Sequence, residues 1–207
     1  MKLDGAFNIY NDDEVLSDIK RGFGVTDGLT GLLLPKQFEK DVDGFLASAP
    51  ASNNVMIHID IDDMSICNSL FGYEYGNALI KEFASKLRSI NKDKIICKAA
   101  SDKFLVFVKN IQTHAEMVLL IESIHSMLKK PYHTSNENGF FTATLGVARY
   151  PNDGKSSKNL SIAAEYASKA AKVNGKGEYA FYNNGMHHLA TYSMEHTDTE
   201  TQGSYEP

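Results

Sequence analysis

An α+β fold with a mixed, mostly antiparallel central sheet flanked by helices is predicted for this chain, and three observations carry it. Apolar runs rich in branched residues, at 55–61 and 104–108 among others, are interspersed with stretches of helical periodicity. Two of the runs, 95–98 and 104–108, are separated by a short turn, which makes them a hairpin and an antiparallel pair. The order of helices and strands is irregular, as in α+β domains.

Each element has its own local reason. Residues 1–24 read as a polar leader ending in a short helix, capped by Asp12 or Asp13, with Val15, Leu16 and Ile19 as its apolar stripe. A turn-rich stretch, 26–32, follows with Gly28 and Gly31. Pro35 suits the first turn of a helix that places Phe38, Val42, Phe45 and Leu46 on one face. A small, polar loop at 47–54 precedes the strand at 55–61. The next helix, 75–90, aligns Leu79, Phe83, Leu87 and Ile90. The hairpin turns at 99–103, and an amphipathic helix at 114–129 follows it. Residues 139–150 read as one long strand, and 160–173 as an Ala-rich helix stopped by Asn174-Gly175. A short strand at 178–182 closes the domain. The composition is polar from 185 onward, and the tail from Glu195 is expected to be disordered. The predicted division is therefore a leader (1–24), one domain (25–184) and a tail (185–207).

Composition narrows the function. The 207 residues are 43% hydrophobic and 23% charged, ordinary values for a globular domain. A net charge of −5 argues against a general nucleic-acid binder, which needs a basic face, but leaves room for an anion held by local positive charge. Cys67 and Cys97 form no metal-binding spacing and read as reduced thiols of a cytoplasmic protein. The N-terminal segment lacks the apolar core of a signal peptide, and no apolar run is long enough to span a bilayer.

Chemistry concentrates in two acidic segments, Asp60-Ile61-Asp62-Asp63 and Ser101-Asp102-Lys103. Each places carboxylate at the end or turn of a strand-like run. Carboxylates brought together at strand ends make a hard-cation site, and Mg²⁺ held that way commonly serves nucleotide phosphates. This pattern suggests a nucleotide-handling palm.

The order of motifs resembles the GGDEF domain, the fold of bacterial diguanylate cyclases. Asp27-Gly28-Leu29-Thr30-Gly31-Leu32 followed by Phe38 is similar to the family's D-x-L-T-G-L-x-N-R-x-x-F, and Asp60-Ile61-Asp62 matches its D-I-D. Asn68, Gly72 and Gly76 fall where the family has an Asn and two glycines. Thr142-Ala143-Thr144-Leu145-Gly146-Val147-Ala148 with Pro151-Asn152-Asp153-Gly154 looks like T-x-S-x-G-V-A and P-x-D-G. Ala164-Glu165, Ala171-Lys172 and Gly175-Lys176 resemble the closing A-D…A-K-x-x-G-R. The resemblance runs from about Thr26 to Tyr182. It implies a palm-like domain with a ferredoxin-like core, GTP or a related nucleotide as ligand, and Mg²⁺ as cofactor. It also implies pairing as a homodimer, or as a heterodimer with another GGDEF or EAL-type protein.

The departures from the pattern are equally informative. The signature G-G-D-E-F is here Ala100-Ser101-Asp102-Lys103-Phe104, and the feedback motif R-x-x-D, due at 91–94, is absent. The resemblance assigns metal binding to Asp60, the Ile61 carbonyl and Asp102. The family's fourth signature residue is a Glu that helps with metal and with the attacking hydroxyl. Lys103 stands there and cannot bind a cation, so one ion is expected rather than two. Lys103 is expected to point to solvent on the hairpin; the sharper alternative is that it neutralises phosphate charge. Ala100 and Ser101 restrict a turn that glycines would leave free.

Base recognition falls by resemblance to Asn68 and Asn77, the latter replacing an Asp. Asn77 would weaken guanine binding, or else simply cap the following helix. Phosphate contacts fall to Ser65, in place of a Lys, and to Lys172 and Lys176. Those two lysines are four apart and so expected on one helical face, where a solvated helix end reads equally well. His58 alternates with Ile57 and Ile59 and is expected on the opposite strand face. His187, His188 and His196 read as a solvated tail rather than a metal site, and Ser101 has no His/Asp partners for a hydrolase triad. The sequence thus predicts a degenerate GGDEF domain, regulatory or nucleotide-binding, with impaired cyclase chemistry.

Overall fold

The computed structural model describes residues 25–133 and 138–186. The expected leader helix and the His187, His188 and His196 cluster lie outside the described residues. The elements in chain order are α1 (Pro35–Ser48), β1 (Asn54–Ile61), α2 (Met64–Phe71), α3 (Tyr73–Arg88), β2 (Lys94–Lys98) and β3 (Lys103–Val108). They continue with α4 (His114–Met127), β4 (Lys130–His133), β5 (Asn138–Phe141), β6 (Ala143–Tyr150), α5 (Ser157–Asn174) and β7 (Tyr179–Phe181).

Five strands form the main sheet in the order β2-β3-β1-β6-β7. All neighbours are antiparallel except β6 and β7, which run parallel. β1 lies in the middle, paired on both sides, and every one of its residues is buried. Its alternation sorts the core. Val55, Ile57, Ile59 and Ile61 face a cluster built with Leu79, Phe83 and Leu87 of α3 and Ile121 and Ile124 of α4. Met56 faces the other way, toward Phe38 and Val42 of α1 and Leu160 and Ala164 of α5. Alanines on α5 allow close approach: a Cβ on Gly146 of β6 would lie 1.9 Å from the Ala164 carbonyl oxygen.

The sequence expectations hold for α1, the β2–β3 hairpin, α4, α5 and the final strand. Three local readings change. The helix expected at 75–90 begins earlier, at Tyr73, and a separate short helix, α2, precedes it. The single strand expected at 139–150 is broken at Thr142, so that β5 pairs with β4 in a separate two-stranded sheet while β6 joins the main one. The break has a cause: the Thr142 carbonyl accepts the Asp62 amide at 2.9 Å and its hydroxyl donates to Asp62 Oδ2 at 2.7 Å.

Candidate nucleotide site and its ion-pair cluster

The loop at 26–32 closes on itself before the chain reaches the site. Asp27 Oδ1 accepts from the Thr30 amide at 2.8 Å and the Thr30 hydroxyl at 2.6 Å. Leu33 then bridges to Cys97, which docks the start of α1 beside the β2–β3 turn.

At the carboxyl end of β1, Asp60 lies opposite Lys103, the first residue of β3. The two side chains are ion-paired, with Lys103 Nζ 3.2 Å from Asp60 Oδ2. Lys172, in the last turn of α5, holds the other oxygen, its Nζ 2.9 Å from Asp60 Oδ1. Lys103 therefore does not point free into solvent, contrary to expectation. The strand register and the pleat place it on the same sheet face as Asp60. Burial pulls the Lys103 ammonium down, but the charge and hydrogen bond of Asp60, helped by Asp102 and Glu165, outweigh that and raise its pKa above the ordinary lysine value.

The hairpin turn does not need its missing glycines. Ala99 and Ala100 donate to the Lys103 carbonyl at 2.9 and 3.3 Å, and among the described residues only Asp63 and Asn110 are non-glycine with positive φ. The turn is supported from beneath by Lys98, a buried residue whose ammonium donates to the carbonyls of Ala100 and Ser101 and sits 4.9 Å from the Phe104 ring centre. Desolvation lowers the Lys98 pKa, against the pull of Asp27 and Asp102. Sequence reading missed this role; the one signal is a lysine closing the apolar run Ile95-Ile96-Cys97.

Asp62, the second carboxylate of the D-I-D, is the other missed residue. It is 2% exposed and accepts from the Thr142 and Thr144 hydroxyls at 2.7 and 2.8 Å and from the Gly177 amide at 2.9 Å. It is a structural clasp. Asp63 follows in the left-handed region, φ 57°, and turns the chain from β1 into α2.

A cavity of about 470 Å³ opens beside the hairpin turn and is lined by Asn68, Gly76, Asn77, Lys98 and Asp102, among others. Its volume falls in the range of small-molecule sites. Gly76 lets α3 approach α2, since a Cβ there would sit 2.1 Å from Asn68 Oδ1. Asn77 lies inside α3, in its second turn, and so does not cap it; the cap position is Gly72.

The structure thus brings Asn68, Asn77 and Asp102 to one cavity, and Asp60, Lys103 and Lys172 to one ion-pair cluster. The backbone joins the two, because the Ile61 amide donates to the Asp102 carbonyl at 2.9 Å. Ser65 is exposed in the first turn of α2 and lines no part of that cavity. Lys176 corrects the helical-face expectation. α5 ends at Asn174, and Lys176 lies beyond it, its Nζ 2.5 Å from Asp63 Oδ1. His58 is on the face opposite Ile57 and Ile59, as expected, and its Nδ1 is buried without a hydrogen-bond partner.

These residues do not fit a resident divalent cation. Both oxygens of Asp60 are engaged by ammoniums, and a metal at that carboxylate would have to displace two cations of its own sign. Among the described residues no group of three or more His, Cys, Asp or Glu is arranged to hold a metal. One Mg²⁺ held by Asp60, the Ile61 carbonyl and Asp102, as expected, would require Lys103 and Lys172 to release Asp60 first.

An α+β palm with a cavity of small-molecule size beside its β2–β3 turn has the architecture of a nucleotidyl-cyclase-like class of domain. The family described as "Diguanylate cyclase, GGDEF domain" matches residues 24–178, and the chain belongs to it. The bifunctional diguanylate cyclase/cyclic di-GMP phosphodiesterase MucR of Pseudomonas aeruginosa is 26% identical over 141 residues, 68% of this chain and 20% of MucR. The chain thus spans about a fifth of the length of that curated relative. Among solved structures, the isolated GGDEF domain of TpbB (YfiN) from P. aeruginosa superposes with a TM-score of 0.73 at 20% identity, covering 80% of this chain and 99% of that one. The GGDEF domain of DgcB from Caulobacter crescentus, in complex with c-di-GMP, gives 0.66 at 22% identity, covering 76% and 95%. Both show the fold. No helix among the described residues is long and apolar enough to cross a membrane.

Proposed function

We propose that this GGDEF domain is a regulatory, nucleotide-binding module of cyclic di-GMP-type signalling that binds a purine nucleoside triphosphate without metal and does not condense it efficiently. The observation that carries the reading is the double engagement of Asp60 by Lys103 and Lys172. Two-metal chemistry needs that carboxylate free and a second acid where Lys103 stands. The same two ammoniums can supply the positive charge that a triphosphate requires, with Lys103 and Lys172 turning from Asp60 to phosphate oxygens. The cavity with Asn68 and Asn77 would receive the base.

Two measurements test this. Incubation with radiolabelled GTP and Mg²⁺ or Mn²⁺ is expected to yield no cyclic di-GMP above background, and robust product would overturn the proposal in favour of an active cyclase. Thermal-shift titration is expected to show stabilisation by nucleoside triphosphates that persists in EDTA. If no nucleotide stabilises the protein, the reading gives way to a protein-interaction domain that pairs with another GGDEF or EAL-type protein.

A further inference from the structure

We propose that a second cavity, on the other side of the β2–β3 turn, is a binding site for a small monocarboxylate with an apolar body. The cavity has a volume of about 360 Å³ and lies between α1 and α5, against the sheet. That volume suits a small organic molecule. Ala99 and Ala100 of the turn line both cavities, but Asn68, Asn77 and Asp102 belong to the first and His58 and Lys103 to the second.

Strand register builds its floor. His58 lies opposite Leu105 and Asp60 opposite Lys103, so His58, Lys103 and Leu105 stand on one sheet face, the one that α1 and α5 cover. Leu105 and Phe38 give the floor an apolar character. His58 is the exception. It is 6% exposed, it lines the cavity, and its Nδ1 is buried with no hydrogen-bond partner. Buried polar nitrogens are nearly always paired, and an apolar residue would fill the same floor without an unmet nitrogen. The missing partner is a group that enters from outside the fold. The side chains of Lys103 and Glu165 beside it are 37% and 44% exposed, and these give way to admit the ligand. Ile162 of α5 also lines the cavity and is 40% exposed, an apolar side chain that the fold leaves uncovered.

Charge selects the class of ligand. Of the four charged residues that line the cavity, exposed Lys158 and exposed Glu39 offset one another, and Glu165 is answered by Lys169 at 3.0 Å. Lys103 remains, and it shares its carboxylate, Asp60, with Lys172. One positive charge is therefore left to answer, which suits a monoanion; a second negative charge would meet Glu39 and Glu165. A carboxylate accepts from Lys103 and from an imidazole carrying its proton on Nδ1. Ser161, one turn before Glu165 on α5, adds a hydroxyl. Phe38, Leu105 and Ile162 take the apolar body.

Titration of the full chain with benzoate, benzyl alcohol and benzylamine at neutral pH, followed by nitrogen-15 NMR, tests the assignment. Benzoate is expected to shift the His58 imidazole and the amides of the first two turns of α5 saturably. Benzyl alcohol, with the same ring and no charge, is expected to bind about tenfold more weakly or worse, and benzylamine more weakly still. His58→Phe keeps a ring in the floor without its nitrogens and is expected to lose about tenfold in benzoate affinity. Ile162→Glu places a negative charge on an exposed position of α5, so it should keep the melting profile of the parent while benzoate binding falls at least about tenfold. Absence of saturable shifts, benzylamine binding as tightly as benzoate, or unchanged benzoate affinity in folded His58→Phe or in Ile162→Glu overturns the proposal. Shifts confined to α2 and α3 would place benzoate in the other cavity and overturn it equally. None of these outcomes bears on nucleotide binding.

Discussion

An ammonium 3.2 Å from Asp60 and a divalent cation compete for the same carboxylate, because they draw on the same oxygens and repel each other. Lys103→Glu removes the ammonium and adds a carboxylate at the edge of the cluster. Titration followed by Mn²⁺ electron paramagnetic resonance is expected to show a bound ion in Lys103→Glu and none in the parent; equal binding in both would separate Lys103 from metal exclusion. Asp62 sits two residues away with a different task. Asp62→Ala leaves the Thr142 and Thr144 hydroxyls without their acceptor and the Gly177 amide with only the Thr144 hydroxyl, 3.1 Å away. It is expected to cost about 3 kcal/mol in urea unfolding, and a loss within experimental error would show that water replaces the carboxylate. The sequence made Asp60 legible through the D-I-D pattern. It did not distinguish a metal ligand from an ion-paired structural acid, because that difference is made by Lys172, more than a hundred residues away in the chain.

At the scale of elements, strong periodicity was readable and short, polar or interrupted elements were not. α1, α4 and α5 carry apolar stripes, and Thr113 and Ser156 cap the latter two by accepting from backbone amides. α2 has only eight residues and no side-chain cap, and it enters through a left-handed Asp63, so nothing local announces it. The break between β5 and β6 comes from Asp62, a tertiary partner that local propensity does not report. Position 176 shows the limit of spacing arguments: i and i+4 share a face only if the helix continues, and here Gly175 ends it. The approach of α3 to α2 at Gly76 yields an element-scale prediction. Gly76→Ala favours the helix by about 1 kcal/mol in propensity but drives Asn68 Oδ1 out of its place. Thermal melts are expected to change little while nucleotide affinity falls at least tenfold; unchanged affinity would remove Asn68 from the base site.

For the whole molecule, the sheet divides the core in two, and the charged cluster lies at the end of the face covered by α1 and α5. His58 is buried on that face among Asp60, Glu165, Lys103 and Lys172. Desolvation outweighs the two carboxylates and lowers its pKa from 6.5 to about 4. Above pH 6.5 both folded and unfolded chains carry neutral imidazole. As the pH falls from there toward 4, the unfolded chain takes up a proton that the folded one refuses, and stability drops by up to about 3 kcal/mol. Urea unfolding between pH 7 and 4.5 is expected to show this slope in the parent and a shallower one in His58→Gln; parallel slopes would assign the effect to the carboxylates.

The Asp62 clasp has a consequence for how the domain is made. Its partners lie 80, 82 and 115 residues further along the chain. Contacts of such separation close late, after the entropy of a long loop has been overcome. During synthesis β1 waits, its terminal carboxylates without their final partners, until α5 and Gly177 have left the ribosome. The strand end that defines the site is then fastened by the last part of the domain to appear. Completion of folding and completion of the site become a single event, and a nascent chain halted before Gly177 would carry the motif without its finished geometry.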